Sequence, residues 1–107
     1  MDIKEFARRS APLFRRQGAL KAMIFGSHAR EDADPRSDFD VIVIDDDDLP
    51  YLRRLDKYFD ELSSIARGAV DLFVYRPSEL ARRRDLPFLL HALKDAVVIY
   101  ERNEASA

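Results

Sequence analysis

The chain has 107 residues, 47% of them apolar and 36% charged, with a net charge of −2 at pH 7; that is the balance of a soluble globular protein and not of a disordered one. So even a charge excludes a surface that is a nucleic-acid footprint throughout, and the absence of cysteine excludes disulfides and thiolate metal sites while suiting a reducing cytoplasm. No apolar run approaches the roughly 18 residues of a membrane span, and the N-terminus, with Asp2, Lys4 and Glu5, lacks the layout of a signal peptide. The expectation is one domain over residues 1–107, cytoplasmic and without a membrane partner.

Ile3, Phe6, Ala7, Ala11 and Phe14 recur at helical spacing, which predicts an amphipathic helix over about 3–17, with Pro12 as a kink or early stop and Gly18 closing it. Leu20 to Phe25 is a short apolar run that ends abruptly at Gly26, the pattern of a buried strand followed by a sharp turn. Asp38 to Ile44 predicts a second strand. Four aspartates, Asp45 to Asp48, then precede Leu49-Pro50 and a longer segment. In it Tyr51, Leu52, Leu55, Tyr58, Phe59, Leu62, Ile65 and Ala66 predict one continuous helix with one apolar face, ended by Gly68. Ala69 to Tyr75 reads as a third strand. Pro77 opens a short helix through Arg82 to Arg84, Leu86, Leu89, Leu90 and Leu93 mark another, and Val97 to Tyr100 forms a last strand. The order predicts an α/β fold.

Residues two apart in a strand point the same way, so Asp38 and Asp40 present two carboxylates on one face while Phe39 and Val41 take the other. Like charges held that close repel unless a cation lies between them, and the pair reads as oxygen ligands for magnesium. Asp71 opens another apolar strand, where an acid is costly unless it is solvated, hydrogen-bonded or metal-bound. Three such acids can hold two Mg2+ ions, one on a triphosphate and one activating an attacking oxygen. Gly26 and Ser27 supply a tight turn, a hydroxyl and free backbone N–H groups at the start of a short helix, enough to hold a phosphate tail. Arg30, three residues beyond Ser27, shares its face and can reach phosphate or a neighbouring acid.

Each element is common alone; their conjunction is specific. Gly26-Ser27-x-Ala29-Arg30, then Ser37-Asp38-Phe39-Asp40-Val41-Ile42-Val43, then Val70-Asp71-Leu72, resembles the motif set of the DNA polymerase beta nucleotidyltransferase superfamily. Within it the nearest resemblance is to the minimal nucleotidyltransferases, the antitoxin partners of HEPN-domain toxins. The resemblance implies a small mixed β-sheet flanked by α-helices. Asp38, Asp40 and Asp71 would be the catalytic metal ligands, Asp71 would also help deprotonate the acceptor, and Gly26, Ser27 and Arg30 would bind the nucleotide. It also implies ATP as substrate, in-line attack by an acceptor hydroxyl on the α-phosphorus with loss of pyrophosphate, and a tyrosine of a cognate HEPN-type toxin as the acceptor, held in a hetero-oligomer. Glu31 departs from the pattern, in which glycine commonly follows the arginine.

Two other functions fit the same residues: a binding module that neutralises its partner without turnover, and a nucleotidyltransferase acting on a small molecule or an RNA end. The blander readings apply elsewhere. Asp45 to Asp48 reads as a solvated loop, and Arg53, Arg54 and Arg82 to Arg84 as solvated helix faces. His28 reads as an exposed neighbour of the motif, His91 as helix packing, and Tyr51, Tyr58 and Phe59 as core.

Overall fold

The computed structural model describes residues 1–34 and 37–102. Helix α1 spans Ile3–Gln17 and runs on through Pro12; Asp2 caps it by accepting from the Glu5 amide at 2.8 Å, and Gly18, at φ 79°, closes it. Strands β1 (Lys21–Phe25) and β2 (Phe39–Ile44) follow, then helices α2 (Tyr51–Asp56) and α3 (Phe59–Ala66), and strand β3 (Val70–Tyr75). Helices α4 (Pro77–Arg83) and α5 (Pro87–Asp95) lead to strand β4 (Val97–Glu101). No helix among the described residues is long and apolar enough to cross a membrane.

The sheet is mixed, in the order β3-β2-β1-β4, with β1 antiparallel to both neighbours and β2 parallel to β3. Helices cover both faces. Ala22, Ile24, Phe39, Val41, Val43, Leu72 and Val74 face the side packed by Phe6, Leu13 and Phe14 of α1 and by Leu62 of α3. Their alternates Met23, Phe25, Ile42 and Tyr75 face Leu89 and Ala92 of α5, as the two-residue period of a strand requires. Asp40 and Asp71 belong by that alternation to the α5 side.

The segment from Tyr51 to Ala66 is two helices, not the single one its periodicity predicts. The break falls at Lys57 and Tyr58, where amides bond three residues back (Lys57 to Arg54, 3.3 Å; Tyr58 to Leu55, 3.0 Å) and Tyr58 leaves helical geometry at φ −124°. Two polar contacts accompany it: the buried Tyr58 hydroxyl donates to Asp45 Oδ2, and Lys57 Nζ reaches Asp45 at 2.8 Å and Asp47 at 3.0 Å. Tyr58 is core, whereas Tyr51 and Phe59 are exposed and not the core residues their spacing suggests. Arg67, at φ 57°, takes the left-handed cap and Gly68 follows it.

Nor are the aspartates a uniformly solvated run. Asp45 is buried under Lys57 and Tyr58, while Asp48 meets Arg76 at 2.8 Å. Arg54, which reads as solvated in the sequence, is 3% exposed and grips Glu79 through two nitrogens at 2.7 and 3.2 Å. That pairing holds the Glu79 carboxyl down at about 2, with a further bond from the Arg76 amide at 2.8 Å. In α5 only Leu89 and Ala92 are fully inward; Leu90 and His91 are exposed, as is Leu86 just before the helix, so His91 is not the packing residue its leucine neighbours suggest.

Candidate active site

β1 ends at Phe25, and Gly26 turns the chain at φ 76°, in the left-handed region that favours glycine. Residues 26–31 then form a coil of turns and not a helix. Gly26 C=O accepts from Arg30 N–H at 3.1 Å, Ser27 C=O from Asp32 at 3.0 Å, and His28 C=O from Glu31 at 3.4 Å. None of the described residues accepts from the backbone N–H groups of Ser27, His28 or Ala29, so the start of the coil offers donors as a helix N-terminus does. Glu31 itself sits at φ 63°. The glycine common at this position in the resembling motif therefore has a backbone reason, which Glu31 meets at some cost in strain.

The carboxylates are placed by strand register. Phe25 pairs with Asp40 across the antiparallel β1–β2 ladder, and Asp40 pairs with Asp71 across the parallel β2–β3 ladder. Neighbouring strands lie about 4.8 Å apart, so the two in-register acids must meet side by side. Burial, the adjoining Asp71 carboxyl and the negative charge of Asp38 push the Asp40 carboxyl up to about 6, against a smaller opposing pull from Arg30. Gly26 is fitted against the same group. A Cβ built there would overlap Asp40 Oδ2 and lie 3.1 Å from its Cγ.

Asp38 lies outside the strand that its position in the apolar run predicts. It is not buried, stands immediately before Phe39, and reaches Asp40 through charge. Arg30 is exposed, with Nε 3.4 Å from Asp32 Oδ2. The structure thus brings Gly26, Asp40 and Asp71 into contact range and leaves Asp38, Ser27 and Arg30 around them. Among the described residues no ready-made cluster of three metal-ligating side chains is present. The chemistry of the donor set nevertheless suits a hard divalent cation: two carboxylates stand in register on neighbouring strands, Asp40 in room left by a glycine, with a third acid near enough to act on Asp40 by charge.

Sequence reasoning missed what holds the turn and what walls the site. His28 stacks on Phe39 with ring centroids 3.8 Å apart and planes 10° from parallel, and its Nε2 lies 3.2 Å from Ser37 C=O. Phe39 stacks in turn on Phe6 of α1 at 4.3 Å. On the α5 side Phe25, Phe73 and Phe88 form a mutual cluster with centroids 4.9 to 6.1 Å apart. The available signal was strand parity: Phe25 and Phe73 lie on the same face as Asp40 and Asp71.

Comparison with known proteins bears on the family and the fold. The family model described as polymerase beta, nucleotidyltransferase, matches residues 10–105. A Methanocaldococcus jannaschii protein, provisionally named a protein adenylyltransferase, is 36% identical over 77 residues, 70% of this chain and 80% of its own length. Among solved structures, a toxin-antitoxin assembly with AMP-PNP contains a chain that superimposes with a TM-score of 0.65 at 18% identity, over 92% of this chain and 76% of that one. A chain from the Shewanella oneidensis complex of a tri-AMPylated HEPN toxin with its MNT antitoxin gives 0.56 at 15% identity, over 94% and 74%. Both show the same fold.

Proposed function

Because this chain belongs to the polymerase beta nucleotidyltransferase family, we propose that it transfers AMP from ATP to a hydroxyl of a partner protein, and that the partner is a HEPN-type toxin modified on tyrosine. The single observation that carries the reading is the in-register Asp40–Asp71 pair beside Gly26. The name of the Methanocaldococcus jannaschii relative supports protein as the acceptor class, and the toxin-antitoxin assemblies that share the fold support the partner.

The roles follow from position. The free N–H groups after Gly26, with the Ser27 hydroxyl and Arg30, hold the β and γ phosphates. Asp40 and Asp71, with Asp38 turned inward, would hold magnesium, which when bound neutralises charge on the triphosphate. Asp71, on the strand farther from the Gly26 turn, accepts the proton of the acceptor hydroxyl. The hydroxyl oxygen bonds to the α-phosphorus, the bond to the bridging oxygen of the β phosphate breaks, and pyrophosphate leaves. The protein's own contribution is alignment and charge placement.

The test is co-expression with the HEPN-type protein encoded nearest to it, followed by mass spectrometry of that protein. Wild type should add AMP to a tyrosine, and Asp40→Ala should add none while retaining its fold by circular dichroism. Transfer that survives in Asp40→Ala refutes the site. Neutralisation of the partner by Asp40→Ala without transfer would establish the binding-module reading instead.

A further inference from the structure

The active-site turn opens on one side into a cavity of about 410 Å³, lined by Gly26 and Arg30 of the turn, Phe25 of β1, and Phe88, His91 and Asp95 of α5. Its size is that of a small-molecule site. Its walls are mostly apolar, with polar groups only at His91, Asp95 and Arg30. Phe88 is 46% exposed, although its ring meets Phe25 edge-on at 5.8 Å and Phe73 at 4.9 Å, so an aromatic surface anchored on one side is open on the other.

We infer that this cavity is the nucleobase pocket, in which the purine of the nucleoside triphosphate stacks on Phe88 while its phosphates lie on the Gly26 turn. The inference rests on the nucleotidyltransferase reading above and deepens it. Three observations select the base over the acceptor as occupant. The cavity shares Gly26 and Arg30 with the phosphate-binding turn, so whatever fills it is continuous with the phosphates. It lies against β1, on the same face as Asp71 but with β2 between, so the base and the acceptor would approach Asp40 from opposite sides. Its chemistry also matches a flat, amino-bearing heterocycle: an aromatic face for stacking, the Asp95 carboxylate to accept from an exocyclic amine, and His91 as a second polar edge. Helix α5 would then select the nucleotide, while the strand carboxylates perform the transfer.

The experiment compares calorimetric binding of ATP and of inorganic tripolyphosphate, each with magnesium, to wild type, Phe88→Leu and Phe88→Tyr. Leucine keeps apolar bulk and removes the ring face; tyrosine keeps the ring. Phe88→Leu should bind ATP about tenfold or more weakly, Phe88→Tyr should match wild type, and tripolyphosphate should bind all three equally. Labelling of wild type by 8-azido-ATP under light should map to residues 87–95. Equal ATP affinity in Phe88→Leu, equal weakening of ATP and tripolyphosphate, or labelling confined to other segments overturns the inference and leaves the enzymatic reading standing. Failure of wild type to bind ATP at all overturns both.

Discussion

Gly26→Ala separates the two reasons for a glycine at the turn after β1. At φ 76° an alanine costs about 1–2 kcal/mol in backbone strain alone. Gly18→Ala supplies the reference, because Gly18 has nearly the same φ, 79°, and nothing within 4 Å of a new Cβ. Both variants should therefore lose a similar increment of stability, a fall in Tm of about 5–10 °C for a domain of this size. Gly26→Ala must in addition move the Asp40 carboxylate, since the new methyl would overlap Oδ2. A displacement of about 1 Å in a reacting group costs on the order of a hundredfold in rate. Calorimetric melting and transfer of labelled AMP to the co-expressed partner, measured at a temperature where every variant is folded, read the two effects separately. The expected result is equal melting losses with transfer reduced about a hundredfold only in Gly26→Ala. Transfer within about threefold of Gly18→Ala, far short of that loss, would show that Asp40 need not stand where it does, and the reasoning would fail.

Asp40→Asn should abolish transfer and yet melt higher than wild type at pH 7.5. The native Asp40 carboxyl is raised from 3.8 to about 6, so it favours folding below its unfolded value and loses that contribution as pH rises through 6; the advantage of the variant should vanish at pH 4 and shrink when magnesium is added. Glu31→Gly should raise stability by up to about 1 kcal/mol, the relief of left-handed strain less the added unfolded-state entropy, with a higher midpoint in urea; a lower midpoint would contradict the strain at φ 63°. Glu79, held at about 2 by Arg54 against an ordinary 4.5, contributes stability that is complete above pH 4.5 and is lost as pH falls toward 2. Glu79→Gln should accordingly flatten the acid limb of a Tm profile between those values. Arg54→Ala, which strands the carboxylate of a mostly buried pair, should cost about 3 kcal/mol at neutral pH by denaturant titration.

The parts of the fold that were legible in the sequence are those set by local periodicity. α1 was readable from Ile3 to its Gly18 stop, and the strands from their apolar runs to within a residue or two. The break at Lys57 and Tyr58 was not legible, because the apolar spacing continues across it, and the partner that accompanies it, Asp45, lies in a loop whose composition looks solvated. Within the candidate site, the placement of Gly26, Asp40 and Asp71 was legible because the carboxylates ride on strands, whose register turns sequence position into contact. Asp38 and Arg30 are residues outside regular elements, and spacing alone could not place their side chains. The α5 wall escaped for another reason: four leucines suggested one buried face, whereas two of those leucines are exposed and Phe88, half-exposed, is the residue that packs on Phe25 and Phe73.

The stack of Phe6, Phe39 and His28 has a mechanical consequence. Three rings lie nearly parallel, at 14° and 10° and at separations of 4.3 and 3.8 Å, running from the interior of α1 through the first residue of β2 to the turn after Gly26. A column of that kind transmits displacement like a pushrod. Trimming Phe6 would let the far ring settle inward and take the turn with it, so the position of the turn beside Asp40 depends on the middle of the hydrophobic core.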